Sequence, residues 1–473
     1  MAHYFRYKTP ADVVADAERL GLSHIAMSDD LSIMFTPIEV GGRTVGNRWA
    51  IQPMEGCDGT LDGLPDELTF RRYVRFGSGG AKLIWGEATA IADDARMNSR
   101  QLWLHEGSAV AIEKMLADCR AAHRESCGHD RYLLLGLQLT HSGRYSSPRP
   151  LLAVHDPVLD PRIVLDKTTG RTVDAAYPLL DDDYLKRLVD HYVTAARIAF
   201  NVGYQFVDIK QCHRYLLNEF LAANARPGPY GGSFENRTRL ARDIITAIRS
   251  EVPGLMIATR LSAFDCIPYR KKVDTGIGEP CPHQTPLACA WGTNPLDHRD
   301  MDLREPIAWI RAMIGLGVSL VNLSMGSPYA TPHVTRPFEY PPPDGYETPE
   351  HPLVGVARHF RAAAEIQRAF PGVPIVGSGY SYLQEFVPHA GAANLRDGGA
   401  SFVGVGRATL AQPDFVKQLQ EQGKLDRKRL CRTFSYCTAL MRSKHNELGQ
   451  FATGCPPFDK EVYGPIWDKA KKK

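Results

Sequence analysis

The chain has 473 residues, of which 44% are hydrophobic, so it can bury a large core and needs no disulfide scaffold. Its 56 basic residues are nearly balanced by 53 acidic ones, and the only basic block is the terminal KAKKK, which argues against a nucleic-acid partner. No stretch approaches the roughly 18 apolar residues of a membrane span, and the N-terminus lacks the apolar part of a signal peptide. We therefore expect a cytoplasmic protein with reduced cysteines and no membrane partner.

The N-terminal part, residues 1–45, is predicted to precede the main domain. Within it, DVVADAERLG predicts a short helix and IEVGGRTVGNR predicts a hairpin that closes the bottom of that domain. Eight short apolar runs follow, mostly separated by amphipathic segments typical of helices. They cover residues 48–54, 83–90, 133–140, 206–212, 255–262, 319–326, 374–380 and 402–408.

These eight runs favour one α/β architecture. Runs that are apolar on both faces suit parallel strands covered by helices. Eight of them alternating with helices predict a closed (β/α)₈ barrel, the TIM barrel, over residues 46–420. The alternative is a doubly wound open sheet. No G-x-G-x-x-G motif follows the first strand, however, where a dinucleotide site of that fold would need one.

In a barrel of this kind, functional side chains lie at the carboxyl ends of the strands. At the last two strands, VGSGY and GVGRA predict a phosphate site, because glycine lets backbone N–H groups approach an anion and Arg407 adds a positive charge. Gln138, Lys210 and Arg260 end the third, fourth and fifth strands, and they suit a planar ligand rich in carbonyl and ring-nitrogen groups. Each also has a plain structural explanation: Arg260, for example, could pair with an acidic neighbour. Together with the phosphate site they predict flavin mononucleotide (FMN).

Several stretches around these strand ends resemble a known family. NRWAIQPM, GEATAI, GLQLTHSGR, CHRYLLNEFLAANARPGPYGGSFENRTR, ATRLS and VGVGRA occur in this order between about residues 35 and 415. They resemble the old yellow enzyme family of FMN-dependent oxidoreductases, in its NADH:flavin oxidoreductase branch. The likeness is to the FMN barrel domain that 2,4-dienoyl-CoA reductase and trimethylamine dehydrogenase possess, without their additional domains.

The resemblance implies noncovalent FMN, with NADH or NADPH as reductant, and a role for each matching position. His213 would grip a substrate carbonyl together with Lys210, and Tyr215 would donate a proton to the substrate. Lys210 could also donate to the flavin pyrimidine edge. The cofactor-binding positions would be Pro53, Met54, Glu87, Ala88, Gln138, Lys210 and Arg260 around the ring, and Ser378, Gly379, Gly406 and Arg407 at the phosphate.

The chain also departs from the family pattern at several positions. Lys210 replaces the first histidine of the carbonyl-binding pair. Glu55 stands where many relatives carry Thr or Cys beside the flavin, and as a carboxylate it should lower the flavin potential. Cys57 lies two residues after the position of covalent attachment in trimethylamine dehydrogenase, so a covalent flavin is not expected. Arg214 replaces a common glycine and would either bind an acidic substrate group or reach solvent.

Two segments lie outside the barrel pattern. The loop at about residues 266–300 is long enough to be a lid over the barrel mouth. Residues 421–473 resemble the iron–sulfur segment of the multidomain relatives. Cys431, Cys437 and Cys455 remain there, but Phe434 stands where the fourth cysteine ligand should be. We expect a vestigial tail without a cluster, and no metal site elsewhere.

The sequence predicts an NAD(P)H oxidoreductase that reduces an activated alkene, an α,β-unsaturated carbonyl compound, by hydride transfer from flavin N5 and protonation by Tyr215. An FMN-dependent dehydrogenase or demethylase of a small molecule is the nearest alternative. A lyase that uses Lys210 as a Schiff base, and a flavin-binding protein without turnover, are also open. The partner is expected to be a small-molecule substrate, and a homo-oligomer is compatible with the sequence.

Overall fold

The computed structural model describes residues 3–472, and a closed barrel of eight parallel strands forms its centre. Strands that follow one another in the chain are neighbours in the barrel, and the last strand pairs with the first. The prediction of a (β/α)₈ barrel is confirmed. The strands are β1 (Trp49–Ile51), β2 (Leu83–Ala90), β3 (Leu134–Thr140), β4 (Phe206–Ile209), β5 (Met256–Ser262), β6 (Val318–Ser324), β7 (Ile375–Gly377) and β8 (Phe402–Val405).

Helices connect successive strands and cover the outside of the barrel. The longer ones bury one face; in Phe234–Glu251, for example, Leu240, Ile244 and Ile248 are buried while Ser233 caps the first turn. Within residues 3–472, no helix has the length and apolar character needed to cross a bilayer. The α-helices are Pro10–Arg19, Glu67–Ser78, Glu106–Cys127, Asp182–Asn201, Leu216–Leu221, Phe234–Glu251, Arg304–Gly315, Pro332–Thr335, Pro352–Ala369, Val387–Arg396, Arg407–Ala411, Phe415–Gln422, Tyr436–Arg442 and Lys460–Ala470.

The bottom of the barrel is occupied by an N-terminal hairpin. Its strands Ile38–Val40 and Arg43–Val45 are antiparallel. Val40 and Val45 are fully buried and belong to the same apolar cluster as Trp85 inside the barrel. The hairpin therefore excludes water from the amino ends of the strands and leaves the carboxyl ends as the open face.

The remaining short elements lie in the connections. Three further antiparallel pairs are Val164–Asp166 with Arg171–Thr172, Tyr269–Lys271 with Gly278–Pro280, and Thr293–Asn294 with Asp297–Met301. The 3₁₀ turns are Ser32–Phe35, Asp93–Ala95, Gly143–Tyr145, Asp160–Arg162 and Tyr380–Phe386. Two of the three hairpins fall in the long connection after β5.

Candidate active site

A cavity opens at the carboxyl ends of the barrel strands and encloses about 1120 Å³ of empty space, part of it continuous with solvent. Every candidate site residue from the sequence except Glu87 lies on its wall: Pro53, Met54, Ala88, Gln138, Lys210, His213, Tyr215, Arg260, Ser378, Gly379, Gly406 and Arg407. Others that sequence reasoning had not assigned to the site include Gln52, Tyr329, Arg336, Cys437, Thr438, Met441 and Thr453.

The turn after β4 places three functional side chains on this wall. His213 and Arg214 both have left-handed backbone, with φ of 66° and 61°, which is costly for residues other than glycine. The turn directs His213 to the cavity, where its Nε2 lies 2.6 Å from Ser324 Oγ. Burial and the nearby cations Arg260 and Lys210 hold the pKa of His213 well below its usual range, so the imidazole is neutral.

Lys210 and Tyr215 form a stacked pair. The Lys210 ammonium lies 3.3 Å from the centre of the Tyr215 ring, a cation–π contact. Burial lowers the pKa of Lys210 to about 8. The Tyr215 hydroxyl is 3.0 Å from Met97 Sδ and 3.1 Å from the hydroxyl of Tyr329. Burial raises the pKa of Tyr215, so this phenol is protonated at neutral pH and can act as an acid.

Asp208 on β4 organises the groups that face a planar ligand. Its carboxylate accepts hydrogen bonds from Gln138 Nε2 at 2.6 Å and from Trp85 Nε1 at 2.7 Å. Because the Gln138 amide nitrogen is committed to Asp208, its carbonyl oxygen remains as an acceptor for a ligand N–H. Asp208 also accepts from the backbone N–H of Arg260 at 2.6 Å. The buried Arg260 Nε has no partner among the described residues, so the guanidinium retains free donors.

The ends of β7 and β8 form a pocket for an anion. Arg407 Nη1 is buried without a hydrogen-bond partner among the described residues, and so are Arg336 Nε and Nη2. Buried donors of this kind are rarely left unpaired, so Arg407 and Arg336 together fit a ligand with an anionic group. Gly379 has φ of 90°, and a Cβ there would lie 2.8 Å from His359 Cβ. A Cβ at Gly404 would lie 2.0 Å from Gln52 Nε2, so both positions require glycine.

Glu55 is the carboxylic acid on the cavity wall. Asn98 Nδ2 donates a hydrogen bond to it, and Cys57 Sγ lies 3.6 Å from its Oε1. Burial raises the pKa of Glu55 to about 7, and the positive charge of Lys210 partly opposes the shift. Cys57 is buried and makes no part of the cavity wall as described.

Glu87 is not part of the cavity wall as described, so its place near the flavin ring stays a prediction. It pairs with Arg72, whose Nη2 lies 2.6 Å from Glu87 Oε1. It also accepts from the backbone N–H of Gly56 at 2.8 Å, and Arg72 makes a second buried ion pair with Asp58. The pairing of β2 with β3 is irregular between Gly86 and Ala88, so strict alternation of side chains does not hold at Glu87. These bonds connect Glu87 to the turn after β1.

Arg214 differs from expectation, because it neither lines the cavity nor reaches solvent. It is buried and pairs with Asp156 at 2.9 Å and Asp265 at 3.5 Å, and it donates to the carbonyl of Cys289 at 2.7 Å. Arg214 thus connects the turn after β4 with residues 266–300. That segment contributes no residue to the cavity wall as described, and its role as a lid stays a prediction.

The C-terminal tail contributes to the cavity wall. Cys437, Thr438 and Met441 come from the helix Tyr436–Arg442, and Thr453 follows it. Cys431, Phe434 and Cys455 line a smaller adjacent space behind Arg407. No group of three or more potential metal ligands is assembled within residues 3–472. The expectation of a clusterless tail stays a prediction, but the tail forms part of the site.

The comparison with known proteins identifies the family. The model of the NADH:flavin oxidoreductase / NADH oxidase family matches residues 33–277. The chain belongs to this family. An NADH:flavin oxidoreductase of Gibberella zeae is 29% identical over 252 residues, which is 50% of this chain and 58% of that relative. The chain therefore spans little more than half of the length of this relative.

Two solved structures share the fold. One is a 2-naphthoyl-CoA reductase complex, with a TM-score of 0.64 and 18% identity; the match covers 93% of this chain and 58% of that one. The other is an old yellow enzyme homologue from Zymomonas mobilis, with a TM-score of 0.59, 21% identity, and coverage of 85% and 96%. Both likenesses support the barrel prediction, and the family match confirms the resemblance found in the sequence motifs.

Proposed function

We propose that the protein is an FMN-dependent NAD(P)H oxidoreductase that reduces an activated alkene. The observation that carries this proposal is one cavity with two halves. One half has unpaired arginine donors beside glycine-rich strand ends, and the other has the acid Tyr215 beside Lys210 and His213. Family membership supports the redox chemistry.

The chain's residues fit noncovalent FMN. Arg407 and Arg336 would hold the phosphate with the backbone of Ser378, Gly379 and Gly406, because charge-assisted hydrogen bonds in a buried site favour an anion. Gln138 and Arg260 would face the polar edge of the ring, and Pro53, Met54 and Ala88 its apolar surface. FMN held in this way would supply the hydride-transfer chemistry between NADH or NADPH and the substrate.

The substrate half supplies polarisation and a proton. Lys210 or His213 donates a hydrogen bond to the substrate carbonyl oxygen and stabilises the negative charge that develops there. Hydride adds to the β-carbon, and Tyr215 gives its proton to the α-carbon, so the alkene gains one hydride and one proton. Burial excludes competing water from Tyr215, which is 3% exposed.

The test is an anaerobic spectral titration of the purified protein with NADH, NADPH and then an enone. A yellow protein that is bleached by a nicotinamide and recovers its colour with the enone is the expected result. Acid precipitation should release the yellow flavin into the supernatant. A nicotinamide-bleached protein that enones do not reoxidise would favour the dehydrogenase or demethylase alternative. A colourless protein trapped by borohydride with a carbonyl compound would favour the Lys210 lyase.

Replacing Arg407 by alanine should weaken FMN binding by about 10- to 100-fold, the usual value of hydrogen bonds to a charged group. In the variant, Arg336 would be the buried cation that remains beside the FMN phosphate. Fluorescence titration of the apoprotein with FMN measures the change. Riboflavin, which lacks the phosphate, should bind wild type and variant equally. A parallel loss for riboflavin would mean that Arg407 acts on folding rather than on the phosphate.

Lys210 should give alkene reduction an alkaline pH limb. Its pKa is lowered to about 8, so the ammonium is present below this pH and lost above it. The rate of enone-dependent reoxidation should fall roughly tenfold between pH 7 and pH 9. Lys210→Met should remove this limb. Glu55→Gln is the control: it should keep the limb but move it to lower pH, because the negative charge of Glu55 raises the pKa of Lys210. If the alkaline limb survives in Lys210→Met, another group must cause it.

A further inference from the structure

Tyr329 lies beside the proton donor and has no role in the reaction described so far. Its hydroxyl is 3.1 Å from the Tyr215 hydroxyl, and its side chain is part of the cavity wall. It comes from the turn after β6, where the backbone N–H of Tyr329 donates to Ser327 Oγ at 3.3 Å. The ring also packs against Tyr145, with the ring centres 4.8 Å apart. These contacts fix the phenol in place.

Both tyrosine hydroxyls point at the same sulfur atom. Met97 Sδ is 3.0 Å from the Tyr215 hydroxyl and 2.8 Å from that of Tyr329. A thioether is a weak hydrogen-bond acceptor, so a proton directed at it is held loosely. If Tyr215 becomes a phenolate, its oxygen is a far stronger acceptor, and the Tyr329 hydroxyl can turn from the sulfur to this oxygen without moving its ring.

We propose that Tyr329 is a positioning residue for proton donation, which stabilises the Tyr215 phenolate as it forms and then restores its proton. The proposal rests on the proposed function. When the Tyr215 O–H bond breaks, a C–H bond forms at the substrate α-carbon. The Tyr329 O–H bond then breaks, the Tyr215 O–H bond forms again, and the Tyr329 phenolate takes a proton from solvent.

The exposure of the two residues fits this order of steps. Tyr215 is 3% exposed, whereas Tyr329 is intermediate in exposure. The Lys210 ammonium over the Tyr215 ring stabilises the phenolate that forms first. Tyr329, the more exposed phenol, then provides the route by which solvent restores the proton of the buried acid.

The experiment is Tyr329→Phe, followed by stopped-flow measurement of three rates. Reoxidation by 2-cyclohexenone should slow roughly tenfold to a hundredfold, as expected for loss of a hydrogen bond to a developing charge. Reduction by NAD(P)H and reoxidation by ferricyanide, which protonates no carbon, should stay within twofold or so of wild type. Proton inventories in H₂O–D₂O mixtures should change from curved in wild type to linear in the variant.

Tyr145→Phe is the matched control, because it removes a neighbouring hydroxyl and keeps the ring packing; it should match wild type in all three rates. If Tyr329→Phe slows reoxidation by 2-cyclohexenone and by ferricyanide equally, Tyr329 only shapes the cavity. An unchanged rate with 2-cyclohexenone would also overturn the inference. Either result would leave the proposed function standing. A wild-type protein that NAD(P)H reduces but 2-cyclohexenone does not reoxidise would overturn the proposed function and this inference with it.

Discussion

Replacement of Tyr215 by phenylalanine should slow alkene reduction by about 10²–10⁴, the factor that a positioned general acid contributes. Reduction by NAD(P)H should be nearly unchanged, since that half-reaction delivers hydride and needs no proton from this residue. Phenylalanine keeps the ring beneath the Lys210 ammonium, which lies 3.3 Å from its centre in wild type. The substitution therefore tests the hydroxyl alone.

Stopped-flow spectroscopy of the two half-reactions measures this effect separately from binding. If Tyr215→Phe slows both halves equally, the tyrosine shapes the cavity and is not the acid. If neither half changes, the proton comes from another group, and Tyr329 is the nearest phenol, 3.1 Å away. A comparison with Tyr329→Phe then identifies which hydroxyl is the donor.

Replacement of Arg72 by methionine should destabilise the fold by about 3–5 kcal/mol, because removing one partner of a buried ion pair leaves uncompensated charge. Arg72 pairs with both Asp58 and Glu87, and all three side chains are at most 4% exposed. The backbone N–H of Gly56, two residues before Asp58, also donates to Glu87. When this ion pair is lost, the turn that places Glu55 at the cavity should become less ordered.

Urea unfolding followed by circular dichroism gives the free energy of unfolding for this test. Arg71→Met is the matched control on the same helix. Arg71 is 33% exposed and shares Asp459 with Arg75, so its loss should cost about 1 kcal/mol or less. If both substitutions lower the free energy of unfolding equally, the buried ion pair stabilises the fold no more than the exposed one. Double replacement of Arg72 and Glu87 by apolar residues should recover part of the stability.

The sequence by itself determined the barrel and the floor of the site. Eight apolar runs alternating with amphipathic segments, with no G-x-G-x-x-G motif after the first, favour a closed barrel over a doubly wound sheet. Parallel strands in a barrel bring their carboxyl ends to one face. Gln138, Lys210, Arg260 and Arg407 could therefore be placed together from their positions at strand ends.

The tertiary structure alone decided what encloses the site from above. Thr438 lies in the short tail helix Tyr436–Arg442, outside the barrel pattern. Tyr329, Arg336 and the tail residue Thr453 lie in irregular connections, where no period of two or 3.6 residues indicates which side chains turn inward. The same holds for Arg214, whose direction follows from two successive left-handed residues and from distant acidic partners. Their positions depend on packing between segments far apart in the chain, and a local sequence pattern does not predict that packing.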